Sequence, residues 1–431
     1  MIKRALKYAW RNFGIRKAVL ERRLRASRAA WERQRGQATP GSLENSLLVI
    51  PSDPYLLTSS LGDQAMIGSI LDYWQDKFPD MQIFFATADA PGDAAAREMS
   101  ATPIRMMGKA LMMDNIAKVM STHRFRIAVL MGADGMDGSY DPSFSGEQIM
   151  ALDLAARNGA DCYITGFSVS KFFNPTVAEI FSELDVKIRV NIRDPLSLER
   201  FEKGSGREAQ QVADVAFLLK PATTERMEPL LTRISEAKAK GRAVVAVNFH
   251  PLLLELEERD LFPQLIDCFA EILRKVAARS DVLFVLLSHD TRGSSSDRLG
   301  LEPLLQRLGD ELGDRLLLPA EQFRAPEIKA LVNEIDLVLS GRMHLMIASL
   351  GAGTPVFGID YKDKMEGLLL LLGLDTGNLM TAAEILADPA GCADKVTRFL
   401  AGLDTERAAI ASHINHIRSL ALRNFEDGHD A

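Results

Sequence analysis

Residues 336–374, DLVLSGRMHLMIASLGAGTPVFGIDYKDKMEGLLLLLGL, constrain the fold more tightly than any other part of the chain. The run 337–339 is apolar and has the length of a buried parallel strand. Ser340, Gly341 and Arg342 follow at once, with the small residues of a tight strand-to-helix turn. Residues 343–350 are helical in composition, Gly351-Ala352-Gly353 end that helix, and Thr354-Pro355 lead into a second apolar run, 356–359. This is a βαβ unit, and open parallel sheets bind ligands beyond the carboxyl ends of their strands. Arg342 and His344 sit at the first such end, and Asp360, Tyr361, Lys362 and Lys364 at the second. Cations and hydrogen-bonding groups beside a helix N-terminus suit a phosphate or a carboxylate. An Arg and a His that only cap a helix and line a cleft would leave the same letters.

The same alternation runs through the chain. Apolar runs at 47–50, 83–86, 127–130, 162–165 and 186–190 precede residue 220, and runs at 243–247, 282–287 and 316–318 follow residue 241. Helical stretches separate them, among them 67–74, a Met-rich segment within 102–120, 145–158, 175–184, 261–279, 301–312 and 325–333. With 431 residues the chain is too long for one ordinary domain. The pattern predicts an α/β protein of two Rossmann-like domains facing a cleft, spanning 46–220 and 242–403. Residues 221–241 read as the bridge, 1–45 as a basic helical arm with its linker, and 404–431 as a terminal helix.

Several loops at strand ends carry candidate groups. Gly62 and Asp63 lie in the loop 59–66, where small residues bring backbone N–H groups to an anion or a sugar hydroxyl. A Gly-Asp pair before a helix is also an ordinary cap. The loop 131–141 is glycine-rich and acidic, and Asp134 and Asp137 could orient or deprotonate sugar hydroxyls there. A metal ion would need further ligands at matching spacing, which the sequence does not supply. Arg193 follows the run 186–190 and is a second anion-binding candidate, with a pair to the Asp194 network as its structural alternative. His289 ends the run 282–287, and the polar loop 291–298, which contains Asp297, is expected to be mobile.

Charge and cysteine usage narrow the class. Residues 1–36 hold twelve Lys/Arg and two Glu, a net of +10, while the whole chain is −7, which leaves −17 on the rest. An acidic body with one basic arm argues against nucleic acid as a partner. The arm reads as helix, with Trp10 and Phe13 suited to an anionic inner-membrane surface and Trp10 and Trp31 equally suited to packing on the body or a second subunit. Three scattered cysteines and no long apolar run point to a cytoplasmic protein, peripheral on the membrane if the arm binds lipid. The oligomeric state is not legible.

The stretch that opens this reading resembles the polysaccharide pyruvyl transferase family. That family carries Ser-x-Arg-Leu-His, a small-residue helix, Gly-x-Pro, a strand and Tyr-x-x-Lys, matched here by Ser340, Arg342, Met343, His344, Gly353, Pro355, Tyr361 and Lys364. An Asn-x-Gly-Asp-x-Ala turn is matched by Ser60, Gly62, Asp63 and Ala65, and an Arg-Asp-x-x-Ser with a later Asp-x-Ala-Phe by Arg193, Asp194, Ser197 and Asp214 to Phe217. The resemblance covers about residues 47–374 and implies a GT-B-like arrangement. It also implies transfer of a pyruvyl group from phosphoenolpyruvate to a sugar, usually as a ketal across two hydroxyls.

That chemistry can be set against the residues. Phosphoenolpyruvate offers a phosphate and a carboxylate, and planar Arg forks match both, so Arg193 and Arg342 from opposite domains are the expected pair. His344 is the expected proton donor to the methylene carbon. Asp63 or Asp134 would take the hydroxyl proton, and Lys364 would hold phosphate as a point charge. Tyr361, Ser340, Gly62 and His289 complete the expected binding set. The scheme needs no metal and no cofactor beyond phosphoenolpyruvate as donor, and the sugar acceptor is compatible with a lipid link. Two rivals share the plan: a nucleotide-sugar glycosyltransferase, and an inactive scaffold of polysaccharide assembly.

Overall fold

The computed structural model describes residues 14–36, 41–58, 60–108, 112–361 and 364–426. They form two compact units. The first holds the described residues of Met1–Leu57, Leu71–Val212 and Arg423–Ala431, and the second holds those of Thr58–Ile70 and Ala213–Leu422.

The first unit is built on a sheet of seven parallel strands: β1 (Glu44–Ile50), β2 (Gln82–Thr87), β3 (Thr102–Arg105), β4 (Phe125–Leu130), β5 (Asp161–Phe167), β6 (Arg189–Ile192) and β7 (Gln210–Gln211). Their spatial order is β3-β2-β1-β4-β5-β6-β7. The second unit repeats the plan with β8 (Ala243–Asn248), β9 (Val282–Leu286), β10 (Leu316–Leu317), β11 (Leu337–Ser340), β12 (Val356–Asp360) and β13 (Leu379–Thr381). Their order is β10-β9-β8-β11-β12-β13. Both are Rossmann-like sheets. The strand order reverses between β1 and β4 in one and between β8 and β11 in the other, which opens a crevice at each carboxyl edge. The central strands are buried on both faces, which is why they appear in the sequence as unbroken apolar runs.

The described part of the basic arm forms helix Ile15–Gln34, which packs on helix Pro142–Arg157. Leu24 and Trp31 enter the core of the first unit, and the Trp31 indole donates to Asp153 at 2.8 Å. Gly146 admits this contact, since a Cβ there would meet Leu24 at 2.4 Å. Trp10 and Phe13 lie outside the described residues. At the other end of the chain, Asn424 is fully buried in the first unit and its Oδ1 accepts from Gly166 N at 2.7 Å.

Three local expectations are corrected. The strand expected at 186–190 is displaced to Arg189–Ile192, and Val186 is 91% exposed. Asp185 takes the Lys187 N–H into a turn, and the Arg207 guanidinium binds the carbonyls of Leu184, Asp185 and Ile188, so the backbone is committed before a ladder can form. The helix expected at 67–74 runs Leu61–Lys77, which places Gly62 and Asp63 in its first turn rather than in a preceding loop. Asp63 there complements the helix dipole. Within 102–120, the first residues form edge strand β3 and the helix begins at Met112.

Candidate active site

The second unit gathers its polar residues at the β8/β11 crevice. β8 ends in Asn248-Phe249-His250 and β11 ends in Ser340-Gly341-Arg342. Ser340 is fully buried and its hydroxyl binds both the N–H and the carbonyl of Arg342, so it shapes the strand-to-helix turn. The His250 ring spans the crevice: Nδ1 accepts from Leu252 N at 3.2 Å, which leaves Nε2 to donate to the Gly341 carbonyl at 2.9 Å. Burial, with Arg342 nearby, holds His250 far below the usual imidazole range, so it is neutral and structural. His289 is likewise buried, and burial with His344 and Arg342 nearby keeps it uncharged. It gives its backbone N–H to Asp297 at 2.6 Å.

Asp297 is the hub. It is fully buried and accepts from His289 N, Asp290 N, Asn248 Nδ2 and the Arg342 guanidinium, whose Nε and Nη2 lie 2.9 and 2.8 Å from Oδ1. The loop 291–298, expected to be mobile, is therefore tethered at its far end. Asp290 stands 3.4 Å from Arg342 Nη1 and also binds Arg292, whose Nη1 lies 3.9 Å from Asp63. Arg342 thus arrives with its charge answered by the chain's own carboxylates rather than as an open fork.

His344 is the second residue of helix Met343–Ala352. Its Nε2 faces Asp214 Oδ2 at 3.5 Å, an ion pair when the ring is protonated that falls short of a hydrogen bond, and among the described residues no hydrogen-bond partner reaches this buried nitrogen. Catalytic contacts are often this long before substrate tightens them. Asp214 is fixed in turn, because it is buried and accepts from Ala216 N at 2.9 Å. The opposite edge of the imidazole rests on Gly62, where a Cβ would lie 2.5 Å from Nδ1. Lys364 opens helix Lys364–Leu371, is buried, and holds its ammonium 5.3 Å from the Tyr361 ring centroid. Tyr361 meets His250 edge-on at 5.5 Å. Lys362 lies outside the described residues.

The first unit has its own polar cluster at the carboxyl ends of β4, β5 and β6. Arg193 is buried, pairs with Asp134, and donates through Nε to Ser168 Oγ at 2.8 Å. The Asp194 network reaches Arg193 through Ser168, whose hydroxyl lies 3.2 Å from Asp194. Asp137 is fully buried and takes the N–H groups of Ser139 and Ser170, so it fastens two loops rather than facing a ligand. Gly132 admits the close approach of β5, since a Cβ there would meet the Thr165 carbonyl at 2.0 Å.

Arg342, His344, Gly62, Asp63, Ser340, His289, Tyr361 and Lys364 therefore fall in the second unit, and Arg193 and Asp134 in the first. Asp214, Asp290 and Arg292 had not been singled out. Asp214 was visible as the head of the Asp-x-Ala-Phe motif. Asp290 and Arg292 sit in a loop whose composition suggested only solvent.

Comparison with known proteins accords with this architecture. A candidate UDP-N-acetylglucosamine 2-epimerase of Listeria monocytogenes superposes with a TM-score of 0.55 at 11% identity, covering 88% of this chain and 94% of that one. A glycosyltransferase of Rickettsia africae gives 0.50 at 8% identity, over 89% and 99%. At such identities the likeness is one of fold, and it is GT-B-like. The amylovoran biosynthesis protein AmsJ of Erwinia amylovora is 27% identical over 228 residues, 49% of this chain. The match spans about half of that relative, 52% of its length. Residues 61–363 match the family described as polysaccharide pyruvyl transferase, which is more than half of the sequence. The chain belongs to the polysaccharide pyruvyl transferase family.

Proposed function

We propose that the protein moves the pyruvyl group of phosphoenolpyruvate onto two hydroxyls of a sugar, as a ketal, during synthesis of a surface polysaccharide. The observation that carries this reading is the His344–Asp214 pair set beside Arg342 at the β8/β11 crevice. A protonated His344 gives its proton to the methylene carbon while a sugar hydroxyl adds to C2 and loses its own proton to a carboxylate. Asp63 is the better placed carboxylate, one residue from the glycine that touches His344, whereas Asp134 is paired with Arg193. A second hydroxyl then displaces phosphate from C2, and the phosphate leaves with that hydroxyl's proton. The products are the ketal and inorganic phosphate, and the carboxylate's proton returns through solvent to His344, which restores both groups for the next turnover.

Arg292 and Arg342 stand among three carboxylates, Asp63, Asp290 and Asp297, and His344 faces a fourth, Asp214, so the donor must draw cations away from existing pairs. Arg292 is the most exposed of these cations, with a side chain 37% exposed. In the first unit Arg193 is assigned to an anionic group of a substrate in the same manner. The scheme draws only on the chain's own side chains.

The test is phosphate release from phosphoenolpyruvate in the presence of a panel of nitrophenyl and lipid-linked sugars, with His344→Ala as control. Acceptor-dependent release by the wild type, lost in the variant, is expected. Release undiminished in the variant removes His344 from the chemistry. Stabilisation by nucleotide sugars and not by phosphoenolpyruvate removes the donor assignment.

A further inference from the structure

We propose that the first unit carries a docking face for an anionic lipid bilayer, formed by the outward side of helix Ile15–Gln34 together with Phe172. The helix sorts its cations by face. Arg23, Arg28 and Arg35 turn toward the body and pair with Glu147, Glu179 and Glu183. Arg22, Arg25 and Arg33 share the side away from Leu24 and Trp31 and are exposed, Arg16 and Lys17 are exposed in the first turn, and none of the five has an ion pair among the described residues. Glu32 is the exposed acid of the same helix, and it is held 3.3 Å from Arg28. A free cationic row on a chain of net charge −7 is a local exception to the overall repulsion. Only charges within a Debye length, about 8 Å at physiological salt, matter to a surface in contact.

The apolar part is on a loop bound to the same helix. Phe172 is 82% exposed, yet its loop is tightly held. Ser170 N and Asn174 N are bound by the side chain and carbonyl of Asp137, at 2.8 and 2.9 Å. Asn174 also donates to Glu21 of the basic helix at 2.6 Å, which fixes the Phe172 loop to it. Thus a rigid frame holds an aromatic ring in solvent on a loop tied to the helix that carries the unpaired guanidinium groups. Aromatic rings partition to the bilayer interface, and cations next to them meet lipid phosphates. The Phe172 loop follows the carboxyl end of β5, and its Ser168 binds Arg193. Docking would bring the polar cluster of this unit to the membrane. If the acceptor is a sugar, as proposed above, that acceptor is a lipid-linked one.

The experiment is co-sedimentation of the full chain with vesicles of phosphatidylcholine alone or with one-third phosphatidylglycerol. Binding to the anionic vesicles only, reversed by salt, is expected. Arg22→Gln with Arg25→Gln should weaken it about 25-fold, at about five-fold per neutralised cation. Phe172→Ala should weaken it as well, and melting temperature and turnover on a soluble sugar should not change in either variant. Equal binding to both vesicles, or none, overturns the proposal. So does unchanged binding in these variants when removal of residues 1–13 abolishes it. Loss of soluble-sugar turnover in Phe172→Ala with vesicle binding intact would make that ring a sugar platform instead. Sedimentation needs no catalysis, so it stays readable even if the transferase reading fails.

Discussion

Replacing Gly62 with Ala should separate stability from activity. The added methyl would lie 2.5 Å from His344 Nδ1, 2.7 Å from Cγ and 3.1 Å from Cε1. Carbon contacts settle near 3.5–4.0 Å, so the ring must retreat by about 1 Å. Because Cγ is among the clashing atoms, turning the ring about its own axis cannot relieve the overlap. Retreat also disturbs the 3.5 Å approach of Nε2 to Asp214. A displacement of about 1 Å at a reacting group costs about 100-fold in rate. Gly62 lies in the first turn of helix Leu61–Lys77, where Ala is favoured over Gly by about 0.5–1 kcal/mol, so the fold should lose little or nothing. Gly68→Ala in the same helix is the control, since its methyl meets only the tip of Leu219, at 3.3 Å. Thermal melts and acceptor-dependent phosphate release from phosphoenolpyruvate decide the matter. Gly62→Ala should melt like Gly68→Ala and turn over about 100-fold more slowly. If the two variants turn over alike, the imidazole does not need its observed position and the acid assignment fails.

Three further outcomes are expected. Asp214→Asn keeps the shape beside His344 but removes the charge, so kcat should fall by about 100-fold or more with the KM for phosphoenolpyruvate nearly unchanged. A rise in KM alone would recast Asp214 as a ligand contact. Asp134→Asn takes a carboxylate away from Arg193 and should tighten the substrate whose anionic group Arg193 holds about ten-fold, or 1.4 kcal/mol, whereas unchanged affinity for every substrate would remove Arg193 from binding. Lys329 is buried, donates to the Phe217 carbonyl, and is lowered to about 8 by burial and by Arg418. Below pH 8 both folded and unfolded chains hold the proton and the burial cost is fully felt. Between about 8 and 10.4 the unfolded chain binds more protons, so stability should rise with pH, by about 3 kcal/mol across the window. Lys329→Met should flatten that rise in urea titrations at pH 7 and 9.5, and an undiminished slope would place the titration elsewhere.

How much of this was legible follows from what each feature depends on. Strands such as β8, β9 and β11 are buried on both faces, so hydrophobic burial alone writes them as apolar runs. The turn at Ser340 to Arg342 was legible because a strand meets a helix there within three residues. The displaced β6 was not, because Val186 and Ile188 look alike in sequence while only Ile188 reaches the core. What separates them is Arg207, about twenty residues away, binding the carbonyls of Asp185 and Ile188. Edge strand β7 has only two residues, too few letters to carry a period, whereas β10 shows as the apolar run 316–318.

The electrostatics of the site were legible only by halves. Arg193 and Arg342 could be placed at strand ends from sequence, and both are there. Their partners come from other loops: Asp134 from the end of β4, and Asp290 and Asp297 from the segment that follows β9. Pairing across loops is a tertiary fact with no short-range signature. It changes the chemistry expected of the guanidinium groups, because a buried cation left unpaired would be costly, and a carboxylate partner keeps it charged and oriented until substrate arrives. Binding an anion then becomes an exchange of one acceptor for another, with little net desolvation. Arg292, less buried than Arg342 and bound to the shared Asp290, is the group through which that exchange can begin.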